Sequence, residues 1–86
     1  TVAGICQISR YDMDRWGDYW RFTDLSIKKL FDEVFGSENI EIETYGNVLT
    51  ATAFLQGISA EELTKEELFY KDIDYQLTIT IKAKKI

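Results

Sequence analysis

The chain has no histidine and no proline among its 86 residues, and a single cysteine. Without an imidazole it has no His general base, no Cys-His or Ser-His dyad and none of the common zinc sites that need His ligands. One cysteine, Cys6, rules out an internal disulfide framework. It fits a reducing compartment, so a cytoplasmic location is expected. Beside a strand, Cys6 reads as a small buried hydrophobe rather than a nucleophile. The lack of proline is unusual for a domain with this many loops. No apolar run approaches the ~20 residues of a membrane span, and no signal-peptide pattern is present. Thr1 in first position leaves room for residues upstream. Basic residues are the minority, 10 Lys and Arg against 15 Asp and Glu, for a net charge of −5. Their one cluster, Lys82, Lys84 and Lys85, reads as a solvated strand end. That balance excludes a nucleic-acid or anionic-membrane surface, so neither is expected as a partner.

What the chain does have is aromatic. Five Phe, five Tyr and two Trp argue against disorder, and the length suits one domain with a marginal core. The densest stretch is Tyr11–Thr23. It crowds Tyr11, Trp16, Tyr19, Trp20 and Phe22 among Asp12, Asp14, Asp18, Arg15 and Arg21. This is too polar for a core strand and too aromatic for a plain linker. Gln7–Arg21 therefore reads as an ordered loop that lines a site or clamps the helix that follows.

Thr1–Cys6, apolar and β-branched, reads as the end of a strand. Thr23 is a good N-cap, and Asp24 suits the positive end of a helix. Leu25, Ile27, Leu30, Phe31, Val34 and Phe35 make one broad apolar face, opposite Lys28, Lys29, Asp32 and Glu33. Gly36 reads as a left-handed cap. In Asn39–Tyr45, Ile40, Ile42 and Thr44 alternate with Glu41 and Glu43, the mark of a strand with one wet face. Gly46-Asn47 turns the chain, with Asn47 as N-cap. Val48–Gln56 reads as a helix ending at Gly57, with a strand as the alternative because Val48, Thr50 and Thr52 are β-branched. Ser59-Ala60-Glu61-Glu62 and Thr64-Lys65-Glu66-Glu67 each read as a cap and first turn, the second with capping-box spacing. Gln76–Ala83 alternates Leu77, Ile79 and Ile81 against Thr78, Thr80 and Lys82. The fold expected is α+β: a small, mainly antiparallel sheet with helices packed on one side of it.

Thr1-Val2-Ala3-Gly4-Ile5, the run Tyr11–Thr23, Leu30-Phe31 and Tyr45-Gly46-Asn47 together resemble the C-terminal third of a class I S-adenosylmethionine-dependent methyltransferase of the type 11-like group. The resemblance runs over nearly the whole chain. It implies a fragment of a Rossmann-like sheet: Thr1–Gly4 the tail of the fifth, parallel strand, Thr23–Phe35 the next helix, Asn39–Tyr45 the sixth strand and Gln76–Ala83 the seventh. The seventh strand then lies between the fifth and sixth. The family pattern has Pro where this chain has Ala3, which leaves the start of the loop less fixed in φ. The family's glycine-rich cofactor turn has no counterpart, since glycines stand at 4, 17, 36, 46 and 57 and no two are close enough for G-x-G. The resemblance thus implies that S-adenosylmethionine belongs to a full-length parent and not to this piece. The partner implied is the missing N-terminal half, and the substrate a small-molecule or sugar-like acceptor.

The residues picked out for acceptor contact are Tyr11, Asp12, Asp14, Trp16, Tyr19 and Arg21. Asp12, Asp14 and Asp18 could orient or deprotonate a hydroxyl, and Asp12-x-Asp14 has the spacing of some divalent-metal motifs without an EF-hand continuation. The plainer reading pairs them with Arg10, Arg15 or Arg21. Trp16, Tyr19 and Trp20 could wall a sugar ring or clamp the loop to the helix, with Trp20 assigned to the clamp. Arg21 could grip an acidic group or a nearby loop carboxylate. A second reading of the whole chain is a stand-alone α+β interaction module. Its uncharged edge Thr1–Ile5 would pair with another copy, making a homo-oligomer.

Overall fold

Alternation of side chains along two strands sets the sheet. In the computed structural model, which describes residues 1–85, β2 (Ile40–Tyr45) half-buries Ile40, Ile42 and Thr44 and exposes Glu41, Glu43 and Tyr45. Strand β3 (Thr78–Ala83) runs antiparallel to it. Ile42 sits opposite Ile81, and Thr44 opposite Ile79. On the other face Glu41 meets Lys82 and Glu43 meets Thr80. A period of two thus gives an apolar face and a charged face from the same register. The short β1 (Val2–Ala3) pairs antiparallel with the free side of β3, Val2 opposite Ile79. The sheet order is β1-β3-β2, so Ile79 on the central strand is wholly enclosed.

Four helices accompany this sheet among the described residues: α1 (Arg10–Trp16), α2 (Asp24–Phe35), α3 (Val48–Gln56) and α4 (Lys65–Phe69). Helix α2 starts where expected. The Thr23 hydroxyl accepts from the Ser26 N–H while the Ser26 hydroxyl accepts from the Thr23 N–H, a reciprocal cap. It packs over β2 and β3 and buries Ile27, while Phe31 and Phe35 stack at 5.7 Å. Leu25, Leu30 and Val34 stay exposed. The apolar face read from the sequence is broader than two strands can cover. Gly36 has positive φ (86°) but ψ of 142°, so it ends α2 in an extended turn and not in the left-handed conformation expected of it.

Two helix ends settle the ambiguity at residues 48–56. Asn47 Oδ1 accepts from the Thr50 N–H, and the Asn47 N–H donates to Thr50 Oγ1. At the other end Gly57 is left-handed, its N–H bonding Phe54 O, while the Ile58 N–H bonds Ala53 O. This is a Schellman motif. Both capping signals outweigh the β-branching of Val48, Thr50 and Thr52. Gly46 carries φ of +130°, and a Cβ there would lie 2.7 Å from both Leu77 Cβ and Tyr75 O, so only glycine passes. Helix α4 has the expected capping box between Thr64 and Glu67.

Gln7–Arg21, expected as a loop, contains α1. Ser9 Oγ accepts from the Asp12 N–H at 3.3 Å, and the Gly17 N–H closes on Met13 O at 3.1 Å. Ser9 as cap, Asp12 in the first turn and Gly17 at the end are ordinary helix signals. The aromatic density of the segment hid them.

The enclosed apolar core is small: Ile27, Ala51, Ala53 and Ile79. The molecule is a slab of 42 × 37 × 19 Å with a radius of gyration of 14.8 Å. A compact chain of this length would have roughly 12 Å. Its accessible surface is 6780 Å² for 10.0 kDa. Folded monomers of that mass expose roughly 5,200 Å². Among the described residues no helix is long and apolar enough to cross a membrane.

Candidate functional site

The chain leaves β1 at Gly4 and returns to the same spot at Phe22. The Gly4 N–H bonds Leu77 O at 3.1 Å, and the Phe22 N–H bonds Ala3 O at 3.1 Å. Gly4 presses so close to Gln76 O that any Cβ would collide with it. Residues 4–21 thus form a closed excursion with α1 near its middle, hung from the end of an edge strand. Compact loops whose ends meet are frequent carriers of function.

A cavity of about 390 Å³ opens between this excursion and the exit of β1. Ile5, Cys6, Ile8 and Met13 supply its apolar side, and Asp18, Tyr19, Trp20 and Arg21 the rest. The Arg21 guanidinium grips both oxygens of Asp18, at 2.6 and 2.8 Å, and also donates to Trp20 O at 2.9 Å and Gln7 O at 3.5 Å. Its planar fork is therefore already filled by its own loop. The bond from Arg21 holds the Asp18 carboxyl below its ordinary range, and Asp18 in turn raises Arg21. An ionised, paired carboxylate of this kind is a poor general base, which needs a raised pKa. The pair braces the loop.

Tyr19 and Arg21, of the six residues picked out from the sequence, border the cavity. Tyr11, Asp12, Asp14 and Trp16 lie on α1, outside its walls. There Arg15 lies 3.3 Å over the Tyr11 ring centroid, and the Tyr11 and Trp16 rings are tilted at 6.5 Å. Residues two apart on a helix point about 200° away from each other. Asp12 and Asp14 on α1 therefore do not converge on one ion. Among the described residues no group of three or more His, Cys, Asp or Glu could hold a metal. Trp20, read as a clamp, walls the cavity and is 73% exposed. Cys6 is exposed at the cavity wall, which corrects its reading as a buried hydrophobe: β1 stops at Ala3, so Cys6 lies beyond the sheet. Met13 and Ile8 lie within the loop read from the sequence but were not among the residues picked out for contact. Their place on the wall depends on how α1 folds back toward β1, and no residue pattern announces that.

The wet face of the sheet carries a second cluster. The Tyr45 hydroxyl donates to Glu43 Oε2 at 2.7 Å, and Lys71 reaches the same oxygen at 3.3 Å while lying 4.4 Å over the Tyr45 ring. The Tyr45 bond, then Lys71, lowers the Glu43 carboxyl.

The cavity combines apolar walls, two flat aromatic faces and one internally neutralised ion pair. Neither a family model, nor a curated protein, nor a solved structure matches the chain.

Proposed function

We propose that this chain is the acceptor-side, C-terminal portion of an S-adenosylmethionine-dependent methyltransferase, with the cofactor half supplied by residues upstream. The observation that carries the reading is the strand order. The last strand, β3, lies antiparallel between β1 and β2. That arrangement is what the resemblance of Thr1–Gly4, Asn39–Tyr45 and Gln76–Ala83 to a Rossmann-like sheet implies for its final three strands. The excursion at residues 4–21 follows the exit of β1, and ligands of open α/β sheets bind outside the ends of strands.

The described residues do not suit the cofactor themselves. The glycines are too widely spaced for a phosphate- or nucleotide-binding turn, and the one carboxylate lining the cavity, Asp18, is paired through both oxygens with Arg21. We therefore assign S-adenosylmethionine to the upstream half and acceptor positioning to Tyr19, Trp20 and the apolar wall. Holding an acceptor in line with a methyl donor supplies a large part of the rate in such reactions. A small molecule with a flat or sugar-like ring suits the two aromatic faces.

The test joins residues 1–86 to the upstream coding sequence and follows transfer of labelled methyl groups. Trp20→Ala should lower kcat/KM about tenfold or more with cofactor affinity unchanged, as expected for a residue that only positions acceptor. Micromolar binding of S-adenosylmethionine to the 86-residue chain alone, measured by calorimetry, would sink the division of labour. So would an upstream sequence without a glycine-rich strand-turn-helix.

A further inference from the structure

Among the described residues lining the cavity, only Asp18 and Arg21 carry charge, and each is taken up by the other. A guanidinium has five N–H groups. Asp18 takes two of them, and the Trp20 and Gln7 carbonyls take two more. The two side chains are 30% and 32% exposed, so the pair is set into the wall and not held out in solvent. An entering carboxylate or phosphate therefore meets no open fork. To gain one it must displace Asp18, whose own carboxylate would then stand unpaired beside the new anion. The net charge of −5 acts in the same direction over a longer range. What remains for a ligand is the apolar wall of Ile5, Ile8 and Met13 and the exposed rings of Tyr19 and Trp20. None of these contacts needs a charge on the ligand.

We infer that the cavity accepts neutral ring-bearing molecules and rejects anionic ones, and that Asp18 sets this specificity by occupying Arg21. The selection rests on the cavity being the acceptor site proposed above, and it narrows the acceptor to an uncharged class. It also gives Arg21 a task other than gripping an acidic group. Arg21 is a cation held out of use, and its planar fork has the geometry that carboxylates prefer. With the charge of Asp18 removed, two of its N–H groups on the cavity wall come free for a ligand anion. One side chain thus decides the sign of the preference.

Phenyl β-D-glucoside and phenyl β-D-glucuronide test the selection, because they differ only in a hydroxymethyl group against a carboxylate. Each is titrated into the 86-residue chain up to about 10 mM, without cofactor, and the backbone amide shifts of Ile8, Tyr19, Trp20 and Arg21 are followed by NMR. The glucoside should move these amides, and the glucuronide should bind about tenfold or more weakly. This preference of the parent chain is read without any substitution. Asp18→Asn should tighten the glucuronide by about tenfold or more. The glucoside should stay within about threefold in that variant, which shows its cavity intact. Adding Arg21→Gln to Asp18→Asn should abolish the gain, since the freed fork is then gone. A parent chain that binds both compounds alike overturns the inference and leaves the acceptor reading standing. An Asp18→Asn chain that still prefers the glucoside as strongly overturns it too, and so does a gain that survives Arg21→Gln. Amides unmoved by either compound also overturn it. A joined protein that transfers no methyl group, with the charge preference intact, would count against the methyltransferase reading alone.

Discussion

Asn47 is the residue on which the second half of the chain hangs, and replacing it measures how. It is 5% exposed and uses every hydrogen-bonding group it has. Its Oδ1 takes the Thr50 N–H at 2.9 Å, and its Nδ2 donates to Glu67 O and Tyr70 O at 2.8 Å each. The first bond caps α3; the other two fasten the end of α4 to the start of α3 across a gap in sequence. Asn47→Ser keeps a good cap and loses the two bridging bonds. At about 1 kcal/mol per bond, the loss is about 2 kcal/mol. Asn47→Ala removes the cap as well, for about 3 kcal/mol. Asn47→Asp keeps the cap but aims an acceptor at two carbonyls, so at neutral pH it should match or exceed the alanine variant. Burial and the two facing carbonyls raise that new carboxyl in the folded state, so its penalty should ease as pH falls and the acid form donates one bond again. For a domain of this size 1 kcal/mol moves Tm by about 4–8 °C, so Asn47→Ser should melt about 8–16 °C lower. Thermal unfolding followed by circular dichroism gives the answer. A serine variant within about 2 °C of the parent would refute the bridging role, and an aspartate variant milder than serine would refute the geometry.

Other substitutions test other links. Ile79→Ala empties the one wholly enclosed large side chain among the described residues and should cost about 2–5 kcal/mol in denaturant unfolding, a large share of the stability of a small domain. Gly46→Ala forces a side chain into φ of +130° against Leu77 and Tyr75, and should cost about 1–3 kcal/mol with slower turn closure between β2 and α3. Asp18, Asp32 and Glu43 are all lowered in the folded state, by Arg21, Lys28 and Tyr45 respectively. Their contribution is complete above the ordinary carboxylate range and is lost as pH falls through their lowered values. Tm should therefore drop below about pH 4, and a chain carrying Asp18→Asn, Asp32→Asn and Glu43→Gln should show a flatter decline. An equally steep decline in that variant would place acid sensitivity elsewhere.

Elements with local signals were legible before any fold was known. Thr23, Asn47 and Thr64 announce three helix starts because a cap bonds within three residues of itself. Ile40, Ile42, Leu77, Ile79 and Ile81 announce two strands because the pleat has a period of two. Helix α1 carried the same class of signal in Ser9 and Gly17 but was masked by its aromatics. The site was less legible. Composition drew attention to residues 11–23, yet of the six residues chosen only Tyr19 and Arg21 reach the cavity.

By itself, the sequence determined the α+β class, the position of most elements, and that these 86 residues hold no imidazole and no disulfide among themselves. It determined these because capping, periodicity and composition act over a few residues. Only the tertiary structure decided that the Phe22 N–H returns to Ala3. It also decided that Arg21 spends its charge on Asp18 and that Leu25, Leu30 and Val34 stay outside. Each of these depends on which distant segments meet, and a three-stranded sheet offers too little area to cover every apolar face that the chain presents.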